Sequence, residues 1–217
     1  MPHWLRLVFG FSMFGFIVAA PVKYALYWQN HIKNFHAVHE NVLYRSGQMS
    51  LAGLKDVLQD YGISTVVTLR DAKRAGETPP DQDEEDYCRS QGINYYRISP
   101  PAWLAPDGSV PAEAAVKQFL SVMDRPENYP ALIHCFAGIH RTGAFCAVFR
   151  MEYEHWSNEE AIEELRAQGY TNLPDEWDIL TYLENYQPRW QTRQPVAANP
   201  HASVEGKPVR WTKESPR

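Results

Sequence analysis

Cysteine is scarce in this 217-residue chain: Cys88, Cys135 and Cys146 lie far apart and stand alone. That spacing excludes a disulfide framework and the paired-cysteine pattern of a structural zinc site. Basic charge is scarce as well. The whole chain carries a net charge of -5, and residues 34–187 hold 12 Lys and Arg against 24 Asp and Glu. A domain of that sign lacks the basic face that neutralises a nucleic-acid backbone, so nucleic acid is excluded as a partner. It also provides no long-range attraction for a polyanion, so any phosphate must be held by local groups. The uncharged run Leu7–Ala20, of 14 residues, falls short of the roughly 20 that span a bilayer.

That run is nevertheless the most apolar part of the chain. Arg6 precedes it, and Lys23 with Tyr24, Tyr27 and Trp28 follows. Trp4 and Leu5 before it, and Tyr24 to Trp28 after it, extend the span and seat aromatics at both interfaces. Residues 1–33 therefore predict a single-pass membrane anchor, with the membrane as partner and its side unspecified. A cleaved signal ending at Val18-Ala19-Ala20 is the alternative, though Pro21 fits poorly after a cut. Beyond residue 187, Pro188, Pro195, Pro200, Pro208 and Pro216 stand among charged and small residues. Residues 188–217 read as a disordered basic tail.

Between these ends, strand and helix patterns alternate. Val42–Tyr44, Ile63–Leu69, Asn94–Ile98 and Ala131–His134 are short apolar or β-branched runs. Ser50 caps a helix that ends near Gly62, and acidic Asp81–Gln91 forms another that Gly92 stops. Pro111–Met123 is helical; further helices run from Arg141 to about Glu154, from a capping box at Ser157 to Gly169, and over about Asp175–Tyr186. The alternation predicts one α/β domain over residues 34–187, a mainly parallel sheet flanked by helices. Ligands bind such sheets beyond the carboxyl ends of the strands, and Cys135 stands at one of those ends.

There the chain reads His134-Cys135-Phe136-Ala137-Gly138-Ile139-His140-Arg141-Thr142-Gly143. A thiol attacks well only as thiolate, which a helix N-terminus, converging amides and a guanidinium all favour. The amides of Phe136, Ala137, Gly138, Ile139, His140 and Arg141 make a nest for a phosphate, and Gly138 permits its tight turn. The Arg141 guanidinium grips two phosphate oxygens bidentately. Thr142 places a hydroxyl within reach of Cys135. His134 supports the loop or is a partly buried histidine with structural bonds only.

This stretch resembles the signature of the protein tyrosine and dual-specificity phosphatase superfamily. The segments Tyr44-Arg45-Ser46-Gly47, Leu69-Arg70 and His140-Arg141-Thr142-Gly143 are similar to the atypical dual-specificity phosphatases of plants and fungi and to bacterial relatives. The resemblance spans roughly residues 34–187. It implies the cysteine phosphatase fold and a two-step reaction through a phosphocysteine, with no metal or other cofactor. It also implies an aspartate that protonates the leaving oxygen from an upstream loop. Asp107, 28 residues before Cys135, is the candidate, with Asp71 at a strand end the runner-up.

Substrate class follows from departures. The inositol pyrophosphatase relatives carry basic residues inside the loop, where this chain has Phe136, Ala137 and Ile139, and only His140 is titratable. A phosphotyrosine or other singly phosphorylated protein or small substrate fits better than an inositol phosphate. A catalytically weak phosphate-binding module needs the nest and Arg141 but no acid. Sulfur or arsenate chemistry would want a resolving cysteine, for which only Cys146 or Cys88 is at hand. Cys146 reads as a plain buried cysteine before a protective partner for Cys135. Arg45 and Arg70 read as salt-bridging residues, and Trp156, Trp177 and Tyr182 as core.

Overall fold

Three short strands carry the centre of the protein because their side chains alternate between two apolar compartments. The computed structural model describes residue 4, residues 13–24 and residues 31–192. In the central strand β5 (Ala131–His134), Ile133 faces one core while Leu132 faces the other. β2 (Leu43–Ser46) and β3 (Thr65–Thr68) flank it in parallel and divide likewise: Leu43 and Val67 to the first core, Tyr44 and Val66 to the second. β4 (Asn94–Arg97) extends the sheet in parallel beside β3, and β1 (His36–His39) closes the other edge antiparallel to β2. The order is β1-β2-β5-β3-β4. All four residues of β2, β3 and β5 are buried, as a mainly parallel sheet covered on both faces requires.

The second core is roofed by α2 (Leu51–Asp60) and α3 (Gln82–Ser90). Ser50 caps α2 through its hydroxyl, which accepts the Gly53 amide at 3.1 Å. The first core lies under α4 (Ala112–Met123), α5 (His140–Tyr153), α6 (Asn158–Ala167) and α7 (Trp177–Glu184). α6 opens with the reciprocal capping box of Ser157 and Glu160. Helix α5 is the buried axis of the domain. Its Phe145 meets Phe119 of α4 edge-on at 5.3 Å and Trp103 at 5.3 Å. Trp103 also meets Tyr182 at 5.2 Å, which pins the loop between β4 and α4 to this core. Trp156 is buried as expected, but Trp177 lies half-exposed on the surface.

Two expectations need revision, and one strand was missed. The strand β1 escapes a pattern search because of its four residues only Val38 is buried. The tail boundary at 187 falls inside packed structure: α8 (Arg189–Thr192) docks through Arg189, which binds Glu152 and Asp124, while residues 193–217 lie outside the described residues. The membrane anchor is overturned. Among the described residues the apolar segment and its flank are helical at residue 4 and over residues 13–24 (α1). No described helix is long and apolar enough to cross a membrane. The remainder of the expected segment, residues 5–12 and 25–30, lies outside the described residues.

Candidate active site

The nucleophile loop begins where β5 ends and closes where α5 begins, so residues 135–140 wrap over the N-terminus of the buried helix. Cys135 is 3% exposed, and its Sγ accepts the Gly138 amide at 3.2 Å. Burial pushes the thiol pKa up, but the Thr142 hydroxyl and amide, the Gly138 amide and the Arg141 charge outweigh it, leaving Cys135 below its ordinary value. The Thr142 hydroxyl is buried and has no hydrogen-bond partner among the described residues. Cys88 and Cys146 differ in kind. Burial raises their thiols to about 12 and about 11, and all three cysteines are free.

What shapes the loop comes from the segment after β2. Gly138 has φ +76, and a Cβ there would lie 2.4 Å from the Gly47 nitrogen, so both dihedral and space demand glycine. Three successive loop carbonyls are held from outside. The Phe136 carbonyl accepts the Gln48 amide at 3.1 Å, Ala137 accepts Asn34 Nδ2 at 2.8 Å, and Gly138 accepts Arg45 Nη2 at 2.7 Å. With the carbonyls so occupied, the amides of the same peptides are left for the anion side. Arg45 therefore braces the loop and makes no salt bridge among the described residues, contrary to the sequence expectation. Its sequence signals were an arginine inside an apolar strand and its place in the Tyr44-Arg45-Ser46-Gly47 segment.

Arg141 lines a cavity of about 450 Å³ and donates to the Leu69 carbonyl at 2.5 Å, which fixes the guanidinium at the cavity wall. The same cavity is lined by Arg70, Asp71, Lys73, Ser99 and Phe136, among others. Phe136 is 60% exposed at its rim, with Lys33 Nζ 4.3 Å and the Arg70 guanidinium 5.4 Å from the ring centroid. A locally basic mouth thus sits on an acidic domain, which the residue count of the loop alone does not reveal. Ile139 packs on the first core, and His140 stacks on Tyr170 at 4.4 Å with Nδ1 3.6 Å from Glu176.

The two candidate acids fall differently. Asp71, exposed like Asp107, lines the cavity with Arg141, and its Oδ1 accepts the Ala72 amide at 2.8 Å. Asp107 is exposed in a turn, is not among the cavity-lining residues, and accepts the Ser109 amide at 2.9 Å and hydroxyl at 2.7 Å. The Ser109 hydroxyl and amide hold the Asp107 carboxyl below its usual range, which favours the ionised form.

Behind the nucleophile, His134 is buried against Glu84, with Nε2 2.6 Å from Oε1, a contact that becomes an ion pair when the ring is protonated. Asp81, Glu84 and His134 bring ligand atoms within 4.8 Å of one another, a spacing a metal ion could use. Their carboxylate oxygens are already engaged by Thr68, Tyr95, Arg97 and Gln48, so the group is a closed charge network.

The family model described as "DSP-PTPase phosphatase fused to NAD+ Kinase" matches residues 19–178. The putative tyrosine-protein phosphatase OCA1 of Debaryomyces hansenii is 30% identical over 138 residues, 58% of this chain and 63% of that protein. The inositol diphosphatase DSP4 of Arabidopsis thaliana is 27% identical over 128 residues, covering 59% of this chain and 60% of that one. The chain thus spans somewhat under two thirds of these curated relatives. Among solved structures, the core catalytic domain of the PP-IP phosphatase SIW14 from S. cerevisiae superimposes with a TM-score of 0.56 at 21% identity, over 75% of this chain and 91% of that one. That likeness carries the fold.

Proposed function

The chain belongs to the DSP-PTPase phosphatase family, and from that premise we propose that it hydrolyses phosphomonoesters through a phosphocysteine formed on Cys135. The observation that carries this reading is the Cys135 thiol itself, buried, below its ordinary pKa and bonded to the Gly138 amide under a cavity that Arg141 lines.

In the first step the Cys135 thiolate attacks phosphorus while the ester oxygen leaves. The amides of residues 136–141 and the Arg141 guanidinium hold the equatorial oxygens, whose charge is greatest in the transition state. The leaving oxygen takes a proton from a carboxylic acid, a role for which Asp71 is better placed than Asp107 because it faces the same cavity. In the second step water attacks phosphorus as the same carboxylate takes its proton, the P–S bond breaks, and the Thr142 hydroxyl stabilises the departing thiolate.

Phosphotyrosine is the favoured substrate class: Phe136 at the rim offers an aromatic wall to a planar leaving group. A second reading, a substrate bearing more than one phosphate, is supported by Arg70 and Lys73 on the cavity wall. The test is phosphate release, in the presence of a chelator, from p-nitrophenyl phosphate, a phosphotyrosine peptide and inositol phosphates, beside Cys135→Ser. Turnover lost in the variant supports the cysteine mechanism, and the substrate ranking decides between the two classes. No turnover, with phosphopeptide binding retained, would make the chain a phosphate-binding module.

A further inference from the structure

A chain of four polar side chains runs from the substrate cavity to the back of the nucleophile. Arg70, on the cavity wall, donates Nη1 to Gln48 Oε1 at 2.9 Å. Gln48 donates Nε2 to Glu84 Oε2 at 2.8 Å, and its backbone amide holds the Phe136 carbonyl of the loop. The other oxygen of Glu84 lies 2.6 Å from His134 Nε2, and His134 immediately precedes Cys135. Glu84 is 5% exposed and His134 2%, so water does not screen their interaction.

The geometry points to Glu84 as a positioning residue of the reaction, a single carboxylate that sets the charge behind Cys135 through His134 and the stance of Arg70 through Gln48. The inference rests on Cys135 being the nucleophile, which Cys135→Ser tests separately. A carboxylate buried this deeply is costly unless paired, and here each oxygen has a partner that leads to a different part of the site. The neighbours agree. Asp81, the other acid facing His134, is taken up by Arg97, Thr68 and Tyr95, and Arg97 also binds Glu85. Tyr95 reaches Glu84 as well. Burial disfavours the His134 imidazolium, but Glu84, then Asp81 and Cys135, outweigh it and raise its pKa. A proton held on that ring, one residue from Cys135, favours the thiolate.

The first test is Glu84→Gln, an isostere without charge, read by the pH dependence of Cys135 alkylation with iodoacetamide, which needs no turnover. The imidazole should lose its proton and the alkylation midpoint rise by about one pH unit, so the reaction slows about tenfold below the midpoint. Glu84→Asp, which keeps the charge, should restore most of the shift. A midpoint unmoved in Glu84→Gln while the melting temperature falls would reduce Glu84 to a structural role. If that variant does not fold, the ring-nitrogen NMR signals of His134 in the unaltered chain decide: a cation at pH 8 supports the inference, and a neutral ring at pH 7 overturns it. The other arm is Gln48→Leu at a half-buried position. It should raise KM for a phosphotyrosine peptide about three- to tenfold with kcat changed less than about twofold, and an unaltered KM would remove Arg70 from the proposal.

Discussion

Arg45 reaches from the middle of β2 to the nucleophile loop and donates its Nη2 to the Gly138 carbonyl at 2.7 Å, from the side opposite the substrate. An arginine 5% exposed with no salt bridge among the described residues is expensive, and its use here is to turn a peptide so that its amide serves the anion. Arg45→Met keeps the apolar stem and removes the donor. It should weaken vanadate binding and lower kcat/KM about 10- to 100-fold, with a stability loss of about 1–3 kcal/mol from the carbonyl left unpaired. Calorimetric vanadate titration and thermal unfolding check the two parts. A variant with wild-type vanadate affinity would show that the loop holds its shape unaided.

Gly138→Ala meets two obstacles at once: a φ of +76 and a Cβ 2.4 Å from the Gly47 nitrogen. The backbone contact cannot yield as a flexible side chain would, so the loop must open. Turnover should fall by about 100-fold or more while the domain keeps its helical circular dichroism, since the strain is confined to the loop.

Much of this site was legible before the fold. The strands and helices announced themselves by period and by caps such as Ser50 and Ser157, and Cys135, Gly138, Arg141 and Thr142 stand close enough in sequence to be read together. The braces were not legible, because Asn34, Arg45 and Gln48 lie about 90 to 100 residues upstream and act on backbone carbonyls, which leave no side-chain signature. For the acid, Asp107 was chosen by its distance from Cys135 along the chain, whereas the cavity gathers Asp71. The basic mouth was missed for the same reason: Lys33, Arg70 and Lys73 come from two segments outside the loop.

Thiol reactivity should separate the three cysteines. Cys135 lies below its ordinary pKa, whereas Cys88 and Cys146 are pushed up to about 12 and about 11 and are buried. At about pH 6.5, mass spectrometry after iodoacetamide should find Cys135 labelled alone, with phosphate protecting it. The acidic limb of kcat/KM should fall at the pH where labelling falls, because loss of thiolate as pH drops underlies both. Labelling of Cys146 first would contradict the assignment.

Removing residues after 187 should destabilise the domain. Glu152, 6% exposed, receives the Arg189 amide at 2.9 Å, Arg189 Nε at 2.8 Å and the Tyr186 hydroxyl at 2.7 Å. A chain ending at Gln187 leaves that carboxylate with Tyr186 alone among these three donors. We expect a loss of about 1–3 kcal/mol in urea unfolding, discounted for the partial exposure of Arg189. A chain ending at Thr192 should match the full protein.

The leaving-group acid is best identified by varying the leaving group. A carboxylic acid that protonates the ester oxygen matters little when that oxygen departs easily and greatly when it does not, so loss of the acid steepens the dependence of rate on leaving-group pKa. Asp71 lines the cavity that Arg141 lines and, among the described residues, accepts only the Ala72 amide at one oxygen, whereas the Asp107 carboxyl accepts both the amide and the hydroxyl of Ser109 outside that cavity and is held ionised. Asp71→Asn should therefore slow hydrolysis of phenyl phosphate about 10- to 100-fold and p-nitrophenyl phosphate much less, and should remove the basic limb of kcat, where the acid loses its proton. Asp107→Asn should leave both rates within about twofold, because its side chain does not line that cavity. The reverse pattern would require the Trp103-anchored loop between β4 and α4 to carry Asp107 into the cavity during turnover. In that case the chain spacing to Cys135 would be the better guide to the acid, ahead of the lining of the cavity.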